Sequence, residues 1–315
     1  MNKNPRIVFF GTPEFSIPSL DALIKANLAP LLVVTNPDEP KGRKQILTPP
    51  SIKAYADKHG IPVLQPIHLI HEMDKIPEAA LFVVVAFGTI IPQQLIARPR
   101  CGTLNIHPSF LPRWRGPSPI QSAILHGDTE TGVTLMQIDE LMDHGPIIAQ
   151  EPFSLAEKKW TSPELSQELA LLGSRMLVEA IPAWLAGEIN ATPQDDIKAT
   201  YCKLIKKDHG RINWSRPADE IERMIRAYIP WPSAWTLWPG RDKIYRIRID
   251  EADISEEELP VGSPGYTWQT HAYPFLVKTG SGSLVVRKIT IEGKTTLNAK
   301  DFLHGNPQLM GATFV

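Results

Sequence analysis

The sequence predicts an α/β fold, with a doubly wound, Rossmann-like and mostly parallel sheet followed by a smaller C-terminal OB-like β-barrel domain. Apolar runs of the kind that form buried parallel strands recur through the first half of the chain, and segments with helical spacing alternate with them. The barrel is predicted because the pattern changes from Lys203, after which short β-like runs follow one another at even spacing.

The predicted strands of the first domain are short and apolar. The run 81–87 is the most apolar, so we expect it at the centre of the sheet, whereas 147–150 is typical of an edge strand. Apolar residues three and four positions apart predict the helices between them. The predicted strands are 6–10, 29–35, 61–64, 81–87, one that ends at His107, one that begins near Gly132, and 147–150; the predicted helices are one at Pro13 capped by Thr12, then 51–59, 119–126 and 161–185.

A linker is predicted after the last of these helices. The segment from Gly187 to Thr200 contains Gly, Asn, Thr and Pro residues that favour irregular structure. We therefore predict a first domain at 1–187, a linker at 188–203 and a second domain at 204–315. The second domain is expected to contain a helix at 218–227 and strands at 235–238, 243–249, 275–277 and 283–289.

Composition and charge exclude several classes of protein. The chain has 315 residues, enough for two domains, and its net charge of -1 does not mark it as a nucleic-acid binder, although a local basic patch would suffice. Cys101 and Cys202 lack metal-ligand spacing, so we expect neither a disulfide framework nor a metal site. Because no run of about 20 apolar residues and no secretory signal is evident, we expect a cytoplasmic protein without a membrane span. The first loop has one glycine, Gly11, where a dinucleotide fingerprint needs three, so no NAD site is predicted.

Polar side chains stand at the ends of two predicted strands. Asn105 and His107 are two residues apart, so both leave the same face of a strand that Pro108 ends. Asp143 follows the next apolar strand. If these strands are parallel neighbours, the three side chains meet at the carboxyl edge, where open α/β sheets bind ligands. Taken singly, each residue also has a structural interpretation, as a strand-end Asn, a buried His and a turn Asp.

Basic residues cluster in two places. The loop 36–48 carries three cations within four positions, which indicates either a solvated turn or a flexible arm that touches phosphates. In the second domain, Lys243, Tyr245 and Arg246 lie on one predicted strand. They would suit a nucleic-acid surface, and an ordinary solvated barrel face is the equal alternative.

Several motifs resemble those of the tetrahydrofolate-dependent formyltransferases. Asn105–Ser109, followed by Leu111-Pro112 and Arg115-Gly116, is one such motif, and Gly132-Val133-Thr134 running into Asp143 is another. Other motifs are similar, within this family, to the members that formylate the methionine carried by initiator tRNA. They are Gly11–Phe15, the basic loop Lys41–Lys44, Gly210–Trp214, Ile225–Ala227, Pro230–Pro232 and Ala299–Leu303.

The resemblance implies a set of site residues. Asn105, His107 and Asp143 match the catalytic residues of the family. The implied folate-binding residues are Ser109, Phe110 (where Leu is usual), Leu111 and Pro112. Phe87, Gly88 and Ile90 are added to this predicted set because their turn leaves the carboxyl end of the strand 81–87, on the edge where ligands bind. The sequence departs from the family beside Asp143, where Leu141-Met142 replaces Gly-Leu and His144-Gly145-Pro146 replaces Thr-Gly-Asp.

The reaction implied by the resemblance needs neither a metal nor NAD. A formyl group would move from N10 of 10-formyltetrahydrofolate, a co-substrate, to the α-amine of methionine on initiator tRNA. The amine is itself the nucleophile. The Asn105 amide and a His107 ring N–H would stabilise the tetrahedral oxyanion. Asp143 would orient the imidazole, favour its charged form and help to remove the amine proton.

The implied partners are initiator methionyl-tRNA and the folate donor. Contacts with tRNA are predicted at Lys41, Arg43, Lys44, Lys206 and Arg246. We expect no membrane partner and a monomer, because the sequence carries no strong sign of a dimer seam. A nucleotide-sugar N-formyltransferase with the same three residues is the alternative enzyme. An RNA-binding protein on a decayed enzyme scaffold is the alternative from another class, and the intact Asn, His and Asp set counts against it.

Overall fold

The computed structural model describes residues 5–315 apart from 43, 44, 241, 256 and 258–261, and it describes Lys41 by its backbone alone. Contacts divide the chain into two units. The first comprises Met1–Pro119, Glu130–Ser154 and Leu165–Cys202, and the second comprises Ile120–Thr129, Leu155–Glu164 and Lys203–Val315. By its contacts, nearly all of the segment 188–203 therefore belongs to the first unit.

Strands and helices alternate along the chain up to residue 186. In order they are β1 (Ile7–Gly11), α1 (Ile17–Lys25), β2 (Leu32–Val34), β3 (Glu39–Lys41), β4 (Ile46–Thr48), α2 (Ser51–Lys58), β5 (Val63–Leu64), β6 (Leu81–Val85), α3 (Gln93–Ile96), β7 (Thr103–His107), α4 (Pro119–Leu125), β8 (Glu130–Gln137), β9 (Ile147–Ser154) and α5 (Ser162–Ala186). The main sheet has seven strands in the order β5-β2-β1-β6-β7-β8-β9.

The five strands from β5 to β7 are parallel, which confirms the predicted Rossmann-like, mostly parallel sheet. Every residue of β1 and β6 is buried, as expected for strands covered on both faces. Val8, Phe10, Val34, Phe82 and Val84 share one hydrophobic cluster in this part of the sheet. The predicted central position of the most apolar strand is confirmed, because β6 lies fourth of the seven.

The strands before His107 and Asp143 do not meet the condition of being parallel neighbours. β7 and β8 are neighbours but antiparallel, with His107 opposite Thr134 and Leu104 opposite Gln137. The carboxyl end of β8 therefore lies beside the beginning of β7. The loop 138–146 follows β8 and leads into β9, which pairs antiparallel with β8. An apolar run predicts a buried strand but not its direction, so the sequence could not decide this point.

Helix α5 packs closely on the sheet. A Cβ atom on Gly173 would lie 2.6 Å from Ile106 Cγ2 and 3.2 Å from Val133 Cγ1, so the missing side chain permits the approach to β7 and β8. Among the described helices, α5 alone is long and apolar enough to cross a membrane, with a mean hydropathy of 1.4 in its most apolar window. Length and composition are weak evidence for a span, and the contacts with Ile106 and Val133 are those of a core helix.

The predicted cap at the start of the first helix is wrong. Thr12 does not cap a helix, because its hydroxyl donates to the carbonyl of Phe87 at 2.9 Å. Helix α1 begins at Ile17, after a short 3-10 turn at Glu14–Ser16. Thr12 therefore links the loop after β1 to the loop after β6, at the carboxyl ends of two adjacent parallel strands.

The second unit contains the predicted C-terminal domain of antiparallel strands. Its elements after residue 203 are α6 (Ala218–Ala227), β10 (Ala234–Pro239), β11 (Ile244–Ser255), β12 (Thr267–Trp268), β13 (Leu276–Lys278), β14 (Ser283–Ile291), β15 (Leu297–Asn298) and α7 (Ala299–Gly305). The strands follow the order β10-β11-β14-β13-β12, and β15 pairs with β14. The helix predicted at 218–227 is confirmed, and its Ile221 and Ile225 enter the core of this unit.

The last residues of the chain connect the two ends of this sheet. Leu237 on β10 exchanges two backbone hydrogen bonds with Val315, of 3.0 and 2.9 Å. Thr267 on β12 donates to Ala312 at 2.9 Å and accepts from Gly311 at 3.0 Å. The segment 311–315 thus bridges β10 and β12 and blunts both edges of the sheet.

Candidate active site

His107 lies at the carboxyl end of β7, and its two ring nitrogens face the Trp114 carbonyl and the Asp143 carboxylate. The side chain is buried, with 4% of the residue exposed. Its Nε2 lies 2.9 Å from the carbonyl oxygen of Trp114. Because a carbonyl can only accept, Nε2 carries the hydrogen of that bond. The ring is therefore held by the Trp114 carbonyl, and Nδ1 remains for other chemistry.

Asp143 approaches the Nδ1 side of this ring. Its Oδ1 lies 3.6 Å from His107 Nδ1, and its Oδ2 accepts a hydrogen bond of 2.8 Å from the backbone N–H of Gly116. The Asp143 side chain is 18% exposed. The structure thus brings His107 and Asp143 together as predicted, although the loop 138–146 rather than a parallel strand end delivers the carboxylate.

Asn105 occupies the same face of β7 as His107. It pairs with Val84 of β6 on one side and with Met136 of β8 on the other, and it is half-buried. Within the described residues, its carboxamide makes no hydrogen bond. The amide is therefore available to a ligand at the carboxyl edge of the sheet.

The segment Ser109–Pro112 forms a loop that β8 and β9 hold firmly. The hydroxyl of Thr134 donates to the Ser109 carbonyl at 2.7 Å and accepts from the Leu111 N–H at 3.0 Å. Gln150 donates to the Leu111 carbonyl at 2.8 Å. The side chains of Ser109 and Leu111 are buried, Pro112 is half-buried, and Phe110 is 38% exposed. Phe110 is therefore the member of this predicted set whose side chain reaches furthest outwards.

The three predicted residues after β6 differ in exposure. Phe87 is buried and its ring packs edge-on against Phe10, with 5.5 Å between centroids. Gly88 is exposed with a φ of +80°, a backbone conformation that favours glycine. Ile90 is 92% exposed. Since β6 and β7 are parallel neighbours, this loop leaves the same edge of the sheet as Asn105 and His107.

The predicted tRNA contacts are described unevenly. Arg43 and Lys44 lie outside the described residues, as does the side chain of Lys41, whose backbone ends β3. In the second unit Lys206 is exposed. The guanidinium of Arg246 lies 4.0 Å from the ring centroid of Trp235 and 3.7 Å from a carboxylate oxygen of Glu292. Arg246 is thus already stacked on an aromatic ring.

Arg115 and Gln194, for which no role is predicted from the sequence, join the Asp143 loop to the rest of the first unit. Arg115 donates from Nε to Gln194 Oε1 at 2.9 Å, and from Nη2 to Asp196 Oδ1 at 2.8 Å. Gln194 in turn contacts the backbone of the Asp143 loop. Arg115 stood within a family motif, but nothing in the sequence marked Gln194, because its partners lie far away along the chain.

Ion pairs set the charges around this loop. A hydrogen bond from Arg115 holds the pKa of Asp196 below its ordinary value, so this carboxylate is charged at neutral pH. A hydrogen bond with Asp139, of 2.6 Å, raises the pKa of His144 above its ordinary value. Within the described part of the chain, no group of His, Cys, Asp or Glu residues could hold a metal ion.

The arrangement suits acyl transfer to an external nucleophile. Within the described residues, the Asn105 amide makes no hydrogen bond and can donate to a ligand. His107 Nδ1 can accept a proton, and the Asp143 carboxylate lies beside it. Donors of this kind stabilise a tetrahedral oxyanion, and the imidazole and carboxylate can accept a proton. Ser109 and Thr134 are committed to backbone partners, which leaves an amine of the substrate as a suitable nucleophile.

Comparisons with known proteins agree over nearly the whole chain. The family profile described as formyl transferase matches residues 5–181, and that described as formyl transferase, C-terminal domain, matches residues 204–307. The methionyl-tRNA formyltransferase of Chloroflexus aggregans is 42% identical over 306 residues, which cover 95% of this chain and 97% of that protein. The methionyl-tRNA formyltransferase of Myxococcus xanthus is 41% identical over 312 residues, with 98% and 97% covered.

A solved structure shares the fold at low sequence identity. It is an N-formyltransferase from Helicobacter canadensis in complex with folinic acid and dTDP-3-aminofucose. The superposition has a TM-score of 0.64 at 21% identity and covers 90% of this chain and 98% of that one. At this identity the likeness concerns the fold alone.

Proposed function

The chain belongs to the methionyl-tRNA formyltransferase family, and from this premise we propose that it transfers the formyl group of 10-formyltetrahydrofolate to the α-amine of methionine on initiator tRNA. The observation that carries the proposal is the 3.6 Å distance between His107 Nδ1 and Asp143 Oδ1 at the edge where Asn105 also lies. The relatives at about 40% identity cover 95% or more of the chain, which supports the same activity here.

The proposed reaction proceeds by direct attack. The methionyl amine attacks the formyl carbon, a bond forms between nitrogen and carbon, and the carbonyl oxygen becomes an oxyanion. The amine loses a proton to a base, the bond from carbon to N10 breaks, and N10 takes up a proton. The products are formylmethionyl-tRNA and tetrahydrofolate, and the balance requires no metal or redox partner.

The geometry refines the role that we first expected of His107. We expected a ring N–H that points at the oxyanion, with Asp143 orienting the ring. Since the Trp114 carbonyl already holds Nε2–H, the neutral ring presents Nδ1 as a proton acceptor. We therefore propose that Nδ1 takes the amine proton, directly or through water, and that the resulting N–H then faces the reacting atoms.

Asp143 and Asn105 complete the proposed mechanism. The Asp143 carboxylate, beside Nδ1, stabilises the positive charge that His107 gains during proton transfer. The Asn105 amide donates to the oxyanion, and loss of one such donor costs about 3–4 kcal/mol of barrier in comparable sites. Proton transfer by a positioned base contributes roughly 10²–10⁴-fold.

The folate donor is proposed to lie along the loops after β6 and β7. Phe110, Gly88 and Ile90 are the exposed members of the predicted set, so we propose that they meet the donor. Ser109, Leu111, Pro112 and Phe87 would instead shape the two loops. The folate-bound N-formyltransferase that shares the fold supports a donor of this class.

The direct test is formylation of initiator Met-tRNA by the purified protein with 10-formyltetrahydrofolate. We expect formylmethionyl-tRNA to form, and unlabelled dTDP- or UDP-amino sugars not to compete. Formylation of the sugar with no product on tRNA would favour the nucleotide-sugar alternative. Retention of tRNA without turnover would favour an RNA-binding protein. Both outcomes would contradict the proposal that the chain is an enzyme of translation initiation.

A further inference from the structure

Asp143 has an uncommon backbone conformation. Its φ of 51° lies in the left-handed region, which few residues other than glycine adopt, although Asp and Asn enter it more readily than most. Two residues later, a Cβ on Gly145 would lie 1.9 Å from the carbonyl oxygen of Gln137, so the loop is also pressed closely against the end of β8. Such conformations persist where the surroundings hold them in place.

Gln194 supplies part of this support from the segment that was predicted as a linker. Its Nε2 donates to the carbonyl of Asp143 at 2.9 Å and to the carbonyl of Gly145 at 2.9 Å. Its Oε1 accepts from Arg115 at 2.9 Å. Because Arg115 can only donate and carbonyls can only accept, the orientation of the amide is fixed by its partners.

Arg115 anchors Gln194 in the first unit. Its residue is only 2% exposed, and its guanidinium also donates to Asp196 at 2.8 Å and to the Tyr201 hydroxyl at 3.3 Å. The backbone of Arg115 bonds to Thr200 and Cys202, so its position is fixed at both ends. Burial removes water from the guanidinium, so its hydrogen bonds to Gln194, Asp196 and Tyr201 have to replace that hydration and hold the side chain in place.

Two neighbours of Arg115 hold Asp143: Gly116, which follows it in the chain, and Gln194, which it hydrogen-bonds. Gly116, next to Arg115, donates its N–H to Asp143 Oδ2 at 2.8 Å, while Gln194, which Arg115 holds, bonds the Asp143 carbonyl. A further brace is His144, which lies 2.6 Å from Asp139 and 3.5 Å from Asp196. The carboxylate and the backbone of Asp143 are therefore both held by hydrogen bonds from one connected group, Arg115, Gly116 and Gln194.

We propose that Gln194 is a positioning residue, which holds the Asp143 carboxylate beside His107 through its two hydrogen bonds to the Asp143 loop. This inference rests on the proposed function of Asp143. Gln194 touches neither His107 nor the reacting groups, so it acts through Asp143. Loss of its two donors would let the loop relax, and small displacements of a catalytic group can lower a rate by about 10²-fold.

The test variant is Gln194→Glu, which separates the two sides of the amide. A glutamate still accepts from Arg115, but it cannot donate to the carbonyls of Asp143 and Gly145. We expect kcat for formylation of Met-tRNA to fall about tenfold to a hundredfold, with KM for both substrates changed less than about twofold. Asn190→Asp, the same change of amide to carboxylate at an exposed site of the segment, is the matched control and should keep wild-type kcat.

A double-mutant cycle with Asp143→Asn distinguishes positioning from general structural damage. If Gln194 acts through Asp143, adding Gln194→Glu to Asp143→Asn lowers kcat by less than about twofold. An additive loss, or wild-type kcat in Gln194→Glu alone, would overturn the positioning role. Full activity of Asp143→Asn would overturn the proposed function of Asp143 and this inference with it, so the two failures give different patterns.

Folding of the variants is checked by circular dichroism and thermal unfolding. If Gln194→Glu does not fold, Gln194→Met replaces it in the same cycle, because it keeps the length of the side chain without its donors. Failure of both to fold would assign Gln194 a purely structural role and contradict the proposal.

Discussion

The hydroxyl of Thr134 connects the loop Ser109–Pro112 to the sheet through two hydrogen bonds, and a third bond joins it to Gln150 on the neighbouring strand β9. It donates to the Ser109 carbonyl and accepts from Leu111 N–H and from Gln150 Nε2. Thr134 is fully buried, and so are its hydrogen bonds with Ser109 and Leu111. Thr131, three residues earlier on β8, has a buried hydroxyl with no hydrogen-bond partner in the described part of the chain.

These two threonines give a matched pair of variants. We predict that Thr134→Val lowers the free energy of unfolding by about 2–3 kcal/mol, because it leaves the buried Ser109 carbonyl and Leu111 N–H unpaired. It should also raise KM for the folate donor severalfold. Thr131→Val should be neutral or slightly stabilising. Denaturant unfolding and steady-state kinetics measure both effects, and equal stabilities of the two variants would contradict the role assigned to Thr134.

Single residues were predictable from the sequence where a local motif carried them. The motif around Asn105 and His107 marked both residues, and the structure places Asp143 beside His107. The catalytic roles of the three residues stay predictions. Gln194 could not be found in this way, because no motif includes it and its contact with Asp143 crosses 51 residues. Thr134 stood within a family motif, but its contact with Ser109, 25 residues away, was not predicted. The tautomer of His107 also depends on a tertiary contact, with the Trp114 carbonyl.

The start of α5 is fixed by a local exchange between Thr161 and Glu164. Glu164 accepts from the Thr161 N–H at 2.9 Å and from its hydroxyl at 2.7 Å, and Lys158 lies 3.0 Å away. The hydrogen bonds from Thr161, with Lys158, lower the pKa of Glu164 to about 2. The pair resembles a capping box, which satisfies N–H groups that the helix leaves unpaired.

This helix start predicts a pH-dependent stability. A carboxylate whose pKa is lowered on folding stabilises the native state above its unfolded pKa, near 4.5, and loses that effect as the pH falls to about 2. Glu164→Gln should therefore cost about 0.5–1 kcal/mol at pH 7 and progressively less below pH 4.5, where the carboxyl group of the unfolded wild type becomes protonated. Glu168→Gln, exposed on the same helix, is the control. A cost that does not change between pH 7 and pH 3 would contradict this assignment.

Elements were predicted well where periodicity is strong and poorly where pairing decides. The helices at 119–126, 161–185 and 218–227 are confirmed to within two residues at each end. The short strands β12 and β15, of two residues each, were missed because they are too short to show a pattern. The apolar run before Asp143 predicted the existence of β8 correctly, but such a run carries no information on strand direction, and β8 is antiparallel to β7.

On the scale of the whole molecule, the predicted tRNA contacts are distributed along the chain. Lys41, Arg43 and Lys44 fall in the domain predicted at 1–187, and Lys206 and Arg246 fall in the domain predicted at 204–315. The net charge of -1 gives no general attraction to a polyanion, so binding has to rely on local groups such as these. The fold class was predictable because the two halves differ in pattern, whereas the placement of tRNA on them is not encoded in any local signal.

Salt dependence tests the contribution of the basic loop. We predict that replacing Lys41, Arg43 and Lys44 by Ala weakens tRNA binding and reduces the slope of log Kd against log salt by about 2–3, because up to three phosphate contacts are lost. The triple variant of Lys25, Lys58 and Lys75, exposed cations of the first unit, changes the net charge equally and should keep the slope. An unchanged slope in the first variant would make the loop an ordinary surface turn.

The most direct test of the central claim is the single-turnover rate of formyl transfer with Asp143→Asn. The asparagine can still accept from Gly116 N–H, so it removes the charge beside His107 Nδ1 with little change in shape. With saturating 10-formyltetrahydrofolate and initiator Met-tRNA, we predict a rate about 10²–10⁴-fold below that of the wild type. A rate within twofold of the wild type would contradict the assignment of Asn105, His107 and Asp143 as the catalytic group.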